Sequence, residues 1–135
     1  MINKERVYNP DTSRNGGSRA IKLSNVSEWL IFAGHAAIDK EERILFPGDA
    51  IAQIRWVWGS LKKVLEQEGY GLGDVIQLQM TCTNDVSEDQ RVQFLKIAGE
   101  VFGHLEIPPV GSTMKVVHAL ALPGMLVEVD IWAAK

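Results

Sequence analysis

The sequence predicts an α+β fold in which one sheet carries two helices on a single face. Three observations predict it. Two segments repeat apolar residues at helical spacing, several others alternate apolar and polar residues as strands do, and each helical segment has only one apolar stripe. Helices that are wet on one side must bury the other, and one sheet face accommodates both. The opposite sheet face is then left without a cover inside the chain.

The elements follow in order. At 135 residues the chain has the size of one domain, expected to span 1–135 with residues 1–18 as an irregular lead-in. Asn9–Ser18 (NPDTSRNGGS) is polar and glycine-rich, the composition of a loop. Arg19–Ser24 alternates Ala20 and Lys22 with Ile21 and Leu23, a short strand. Trp29–His35 is almost wholly apolar and reads as a second strand. Pro47-Gly48-Asp49 punctuates, and Asp49 is placed to cap the helix that follows. From Ala50 to Glu68, Ile51, Ile54, Trp58, Leu61 and Leu65 recur at spacings of three and four, and Gly69 closes the helix. Asp74–Asn84 alternates Ile76, Leu78, Met80 and Cys82 with Gln77, Gln79, Thr81 and Thr83, a strand with one buried face. Ser87 with Gln90 forms a capping box that opens a second helix, striped by Val92, Leu95, Ala98 and Phe102. Beyond Pro108-Pro109, Val110–Leu120 and Met125–Ala133 are the closing strands, separated by Pro123-Gly124.

Composition narrows the function. The formal charge is −3 with acids and bases interspersed, so no cationic stripe points to nucleic acid. Cys82 is the single cysteine, which excludes an internal disulfide and a CxxC site. Met1–Tyr8 is charged and lacks an apolar h-region, and no apolar run reaches membrane-spanning length. The expectation is a cytoplasmic protein with no membrane partner. The three histidines form no HxH or HExxH pairing, so neither a metal nor another cofactor is expected.

The uncovered sheet face carries the argument further. In the last strand Met125, Val127, Val129, Ile131 and Ala133 form one face, and Leu126, Glu128, Asp130 and Trp132 the other. If the second strand is regular, Trp29, Ile31, Ala33 and His35 make a similar mixed face. Indoles beside carboxylates on an open sheet face predict burial against another copy of the chain, with a ligand cleft between copies.

Several segments together resemble the Rid/YjgF (reactive intermediate deaminase) family. Trp29–Gly34 (WLIFAG) is similar to that family's apolar strand ending in a small residue and glycine, and Leu61-Lys62-Lys63-Val64-Leu65 to part of its first helix. Gly73-Asp74-Val75-Ile76 resembles its entry into the middle strand. Pro108-Pro109-Val110-Gly111-Ser112-Thr113 resembles its P-x-R-S-T/C stretch except at one position, and Leu122–Asp130 (LPGMLVEVD) resembles its ending. The resemblance runs from Arg19 to the end. It implies a chorismate-mutase-like mixed sheet with two helices on one face, assembled as a homotrimer with clefts between subunits. It also implies deamination of a small enamine or imine, in which an arginine binds the substrate carboxylate and a glutamate positions the hydrolytic water. The glutamate position is Glu128; the arginine position is Gly111, the asparagine of the second helix is Leu95, and the tyrosine near the first strand is Gly17.

Glu128 is therefore the first candidate, as a carboxylate that passes a proton to or from bound water. Its bland alternative is a wetted carboxylate paired with a cation. Asp130 shares its face and reads as structural. His35 beside Gly34 is a candidate proton shuttle. Gly111, Ser112 and Thr113 offer backbone N–H groups and hydroxyls for substrate, and Arg19 a cation from another direction. Lys115 is expected on the Gly111 side of its strand. Without a guanidinium fork at position 111 the usual clamp on the substrate carboxylate is lost, and the enlarged cleft is expected to admit a longer or aromatic-derived ligand. The resemblance implies, as one such substrate, an unsaturated amino-dicarboxylate of the 2-aminomuconate type. The competing expectation is a trimer that binds a metabolite without turnover.

Overall fold

The structure, a computed structural model, describes residues 1–14 and 17–135. The part of the loop expectation that falls on Asn15 and Gly16 lies outside the described residues. Seven strands and two helices are present among the described residues: β1 (Asn3–Val7), β2 (Ala20–Ser24), β3 (Trp29–Ile31), α1 (Ala50–Gln67), β4 (Val75–Thr83), α2 (Glu88–Phe102), β5 (Val110–Gly111), β6 (Lys115–Val117) and β7 (Val127–Ala134). A mixed sheet runs β3-β7-β4-β5, with β6 also on β4, while β1 and β2 form a separate antiparallel pair. Antiparallel β4–β7 is the spine of the sheet, and β5 and β6 run parallel to β4. A parallel neighbour requires a crossover connection, which α2 provides.

Both helices start where side chains can satisfy their first N–H groups. The Asp49 carboxylate accepts from Ala52 N at 3.0 Å. Ser87 and Gln90 cap each other's backbone, at 3.2 and 2.9 Å. Gly69, with φ 78°, turns the chain after α1 at a conformation that a Cβ would strain. The buried stripe of α1 is Gln53, Ile54, Val57, Trp58, Leu61 and Leu65, with Ile51 only half-buried. Gln53 is a fully buried polar residue with its amide satisfied: Nε2 donates to Phe46 O and Gly124 O, and Oε1 accepts from Leu126 N. It ties the entry of β7 to α1.

The core lies between the helices and one sheet face. Val127, Val129, Ile131 and Ala133 are fully buried there, facing Leu78, Met80 and Cys82 of β4. Burial also pushes the Cys82 thiol pKa up, which suits an inert core residue. The arrangement is the expected α+β fold with both helices on one side.

Four expectations are corrected. The lead-in 1–18 is not wholly irregular, because Asn3–Val7 pairs with β2. Its polar NKERV sequence has no apolar alternation to read, and it is held by tethers: Glu5 pairs with Lys22 at 3.5 Å, Arg6 Nε donates to Ser18 Oγ, and the Lys4 ammonium donates to Gly73 O. On α2, Phe94, Ile97 and Phe102 fill the core, whereas Val92 and Leu95 of the expected stripe are exposed. The helix carries apolar residues on two sides, and the side with Phe94 and Ile97 takes the interior. Trp29–His35 is a strand only to Ile31, resuming as one isolated pair at His35. Val110–Leu120 breaks into β5 and β6.

Candidate functional site

Glu128 owes its position to the alternation of β7. With Val127 and Val129 buried under the helices, Glu128, Asp130 and Trp132 stand on the uncovered face, each half-buried. The β4–β7 register sets Thr81 beside Glu128, Gln79 beside Asp130 and Gln77 beside Trp132. On its other side Thr81 pairs with Lys115. At the β3 end, Trp29 (48% exposed) and Ile31 (59% exposed) continue the face, with the Trp29 and Trp132 rings edge-to-face at 6.3 Å. The result is a polar centre flanked by an apolar, aromatic end.

The Glu128 carboxylate rests against the backbone of Gly34. A methyl group added at Gly34 would overlap the carboxylate oxygen and come to 2.9 Å from Cγ. Glycine at this position is what makes room for the carboxylate. Glu128 forms no ion pair with any described residue, so its lone pairs remain available to water or ligand. Asp130 differs: burial pushes its carboxyl above the usual carboxylate range, against the attraction of the Lys115 ammonium.

His35 is not beside Glu128. Ile31 pairs with Trp132 and His35 with Val129, so four steps along one strand match three along the other. The extra residue is a bulge at Ala33-Gly34, opposite Asp130. It turns His35 to the side of Phe32, whose ring lies 5.7 Å away, and His35 Nδ1 sits 2.9 Å from Ala33 O. The expectation of a regular second strand is thereby corrected: His35 faces the helix side.

A second mismatch acts on the other edge. Gly111 pairs with Leu78 and Lys115 with Thr81, again four steps against three. Gly111 therefore lies on the helix side, at a groove of about 310 Å³ shared with Leu78, Leu95, Phe102 and Pro109. A Cβ built at Gly111 meets nothing within 4 Å. Lys115, expected on the Gly111 side, is turned to the face of Glu128. Ser112 N donates to Leu78 O at 3.0 Å while its buried hydroxyl finds no partner among the described residues, and Thr113 is exposed. Arg19 is also exposed, its guanidinium donating to Thr12 Oγ1 and Ser13 O.

Of the candidates, then, Glu128 and Gly34 are brought into contact. His35 and Gly111 are turned away, and Arg19 is held by its own loop. Thr81 and Lys115 belong to the Glu128 row; the sequence does not single out Thr81 as a site residue, and it marks Lys115 only as a cation on the Gly111 side. The alternation of β4 placed Thr81 on the open face, but no signal marks the bulge that turns Lys115. No group of three or more His, Cys, Asp or Glu converges among the described residues as metal ligands would. No described helix is long and apolar enough to cross a membrane.

Comparison with known proteins adds four findings. The family profile described as Endoribonuclease L-PSP matches residues 12–135. A RutC family protein of Pyrococcus horikoshii is 30% identical, over 98% of each chain. The crystal structure of the Rid-family protein YyfB of Yersinia pestis superposes with a TM-score of 0.79 at 28% identity, covering 98% of this chain and 99% of that one. The Rid-family protein YyfA of the same organism shares the fold, with a TM-score of 0.67 at 20% identity over 98% of this chain and 100% of that one.

Proposed function

The chain belongs to the Endoribonuclease L-PSP, or Rid/YjgF, family, and from that premise we propose that it deaminates a small enamine or imine metabolite in a cleft between the subunits of a homotrimer. The observation that carries this reading is the Glu128 carboxylate, half-buried on the uncovered face, seated on Gly34 and without an ion pair to any described residue. Such a group can take a proton from water as the oxygen attacks an imine carbon. The C=N electron pair moves to nitrogen, which gains a proton; the carbinolamine then expels ammonia as the carbonyl forms. A tautomerising step on an enamine uses the same carboxylate, moving a proton from nitrogen to carbon.

The apolar end of the face, Trp29, Ile31 and Trp132, supports assembly with other copies, which would dry the surroundings of Glu128. Two carboxylates against one lysine on this face favour imine chemistry over cleavage of a polyanion. The position of the family's carboxylate-binding arginine is Gly111 here, on the helix side and away from Glu128, so that clamp is absent, and by analogy with the family an amino-dicarboxylate of the 2-aminomuconate type is the substrate class we favour. The open space at Gly111 favours a second reading, a trimer that holds a metabolite without turnover.

Ammonia release from imines and enamines generated in solution separates the two. Glu128→Gln is expected to lower the rate by about 100-fold or more while leaving the assembly intact by light scattering. An unchanged rate removes Glu128 from the mechanism. Saturable calorimetric binding with no released ammonia establishes the second reading.

A further inference from the structure

Lys115 and Glu128 flank the same residue. Thr81 pairs with Lys115 on one side and with Glu128 on the other, and paired residues project to the same sheet face. The ammonium and the carboxylate therefore belong to one row across the open face, two strand spacings apart, or about 10 Å at the backbone. The Glu128 carboxylate leans onto Gly34, which lies beyond β7 and away from Lys115. Between the two ends stands Thr81, half-buried, whose hydroxyl can donate or accept.

Lys115 is exposed and makes no ion pair with any described residue. It acts electrostatically on Asp130, one row along, whose carboxyl it favours in the charged form without forming an ion pair. Several other cations of the described chain are tied elsewhere, Lys4 to Gly73, Arg19 to Thr12 and Ser13, Lys135 to Glu28 and Gly69, and Arg91 to Val86 O; what sets Lys115 apart is its place in the Glu128 row. The bulge between β5 and β6 is what brings this lysine to the Glu128 side; in an unbroken register it would pair with Cys82 and face the helices.

We propose that Lys115 is the anion-binding residue of this face, holding a substrate carboxylate set several atoms away from the carbon on which Glu128 acts. The inference rests on the Glu128 reading and names the substrate class for it. A carboxylate bonded directly to the reacting carbon cannot span a gap of two strands. One carried at the far end of a short chain can, with a charge-assisted hydrogen bond about 3 Å long at each end. The ligand class is thus a linear or unsaturated molecule with nitrogen at one end and a carboxylate at the other. Lys115 here is a binding residue and takes no part in the proton transfer.

Unreactive ω-amino acids test this by calorimetry at fixed, low ionic strength, with the ammonium directed to Glu128 and the carboxylate to Lys115. 5-Aminopentanoate is expected to bind wild type about tenfold more tightly than either pentylamine, which lacks the carboxylate, or glycine, which is too short. Lys115→Met is expected to bind 5-aminopentanoate only as well as pentylamine, without changing pentylamine itself, and Lys115→Arg to retain the preference. Unaltered 5-aminopentanoate binding in Lys115→Met, alongside loss of both amines in Glu128→Gln, overturns the lysine role and leaves the Glu128 reading standing. Indifference to both substitutions, or no binding of any probe to wild type, overturns both. Thermal melting checks each variant; Lys115 is exposed, so its substitution leaves the core untouched.

Discussion

One strand presents two different surfaces. Along β7, Val127, Val129, Ile131 and Ala133 are fully buried under the helices, while Glu128, Asp130 and Trp132 between them stay half-buried on the other side. The covered face is uniformly apolar, and its neighbours on β4 are Leu78, Met80 and Cys82. The open face mixes carboxylates, amides, a lysine and indoles. The first face holds the core and the second carries the proposed site, and the two are one peptide bond apart.

The sharpest test of that contrast compares adjacent residues. Ile131→Ala removes fully buried volume and is expected to cost about 3 kcal/mol in urea unfolding of the whole protein. A loss below 1 kcal/mol would mean that the covered face is not the main source of stability. Trp132→Ser, next to it, gives up the edge-to-face contact with Trp29 and is expected to cost an isolated subunit about 1 kcal/mol. Its larger effect should be on assembly, with light scattering showing smaller particles. An unchanged mass would show that the aromatic end of the open face lies outside the subunit contact.

The smallest effect concerns Asp130. Its carboxyl is raised in the fold, so the folded state holds the proton more tightly than the unfolded chain. The resulting stability is present below the ordinary aspartate range and is lost as pH rises through the folded value. At neutral pH the ionised residue is a slight burden, and Asp130→Asn is expected to melt slightly higher than wild type there, with the difference vanishing toward pH 3. A variant that melts lower at neutral pH would show that the carboxylate is firmly paired with Lys115.

Much of this was legible from residue order. The Asp49 cap, the Ser87–Gln90 box, most of the α1 stripe and the alternations of β4 and β7 follow from local chemistry and form as read, apart from Ile51, which is half-buried, and Thr83, which is buried. Glu128 was legible for the same reason, since its apolar neighbours decide its side. The α2 stripe was not, because two overlapping apolar sets compete and only the shape of the core selects Phe94 and Ile97. Nor was β1, which has no apolar face and depends on its partner strand and on Lys4, Glu5 and Arg6.

By itself the sequence determined the two helices and the long strands β4 and β7, that one sheet face is covered and the other left open, and that Glu128 stands on the open one. The tertiary structure alone decided how the edges of the sheet contribute. One extra residue at Ala33-Gly34 turns His35 away from Glu128, and another between Gly111 and Lys115 turns the lysine toward it. Side chains alternate along a strand with period two, so a single unpaired residue reverses every face beyond it. Such a residue is defined only by the partner strand it fails to match.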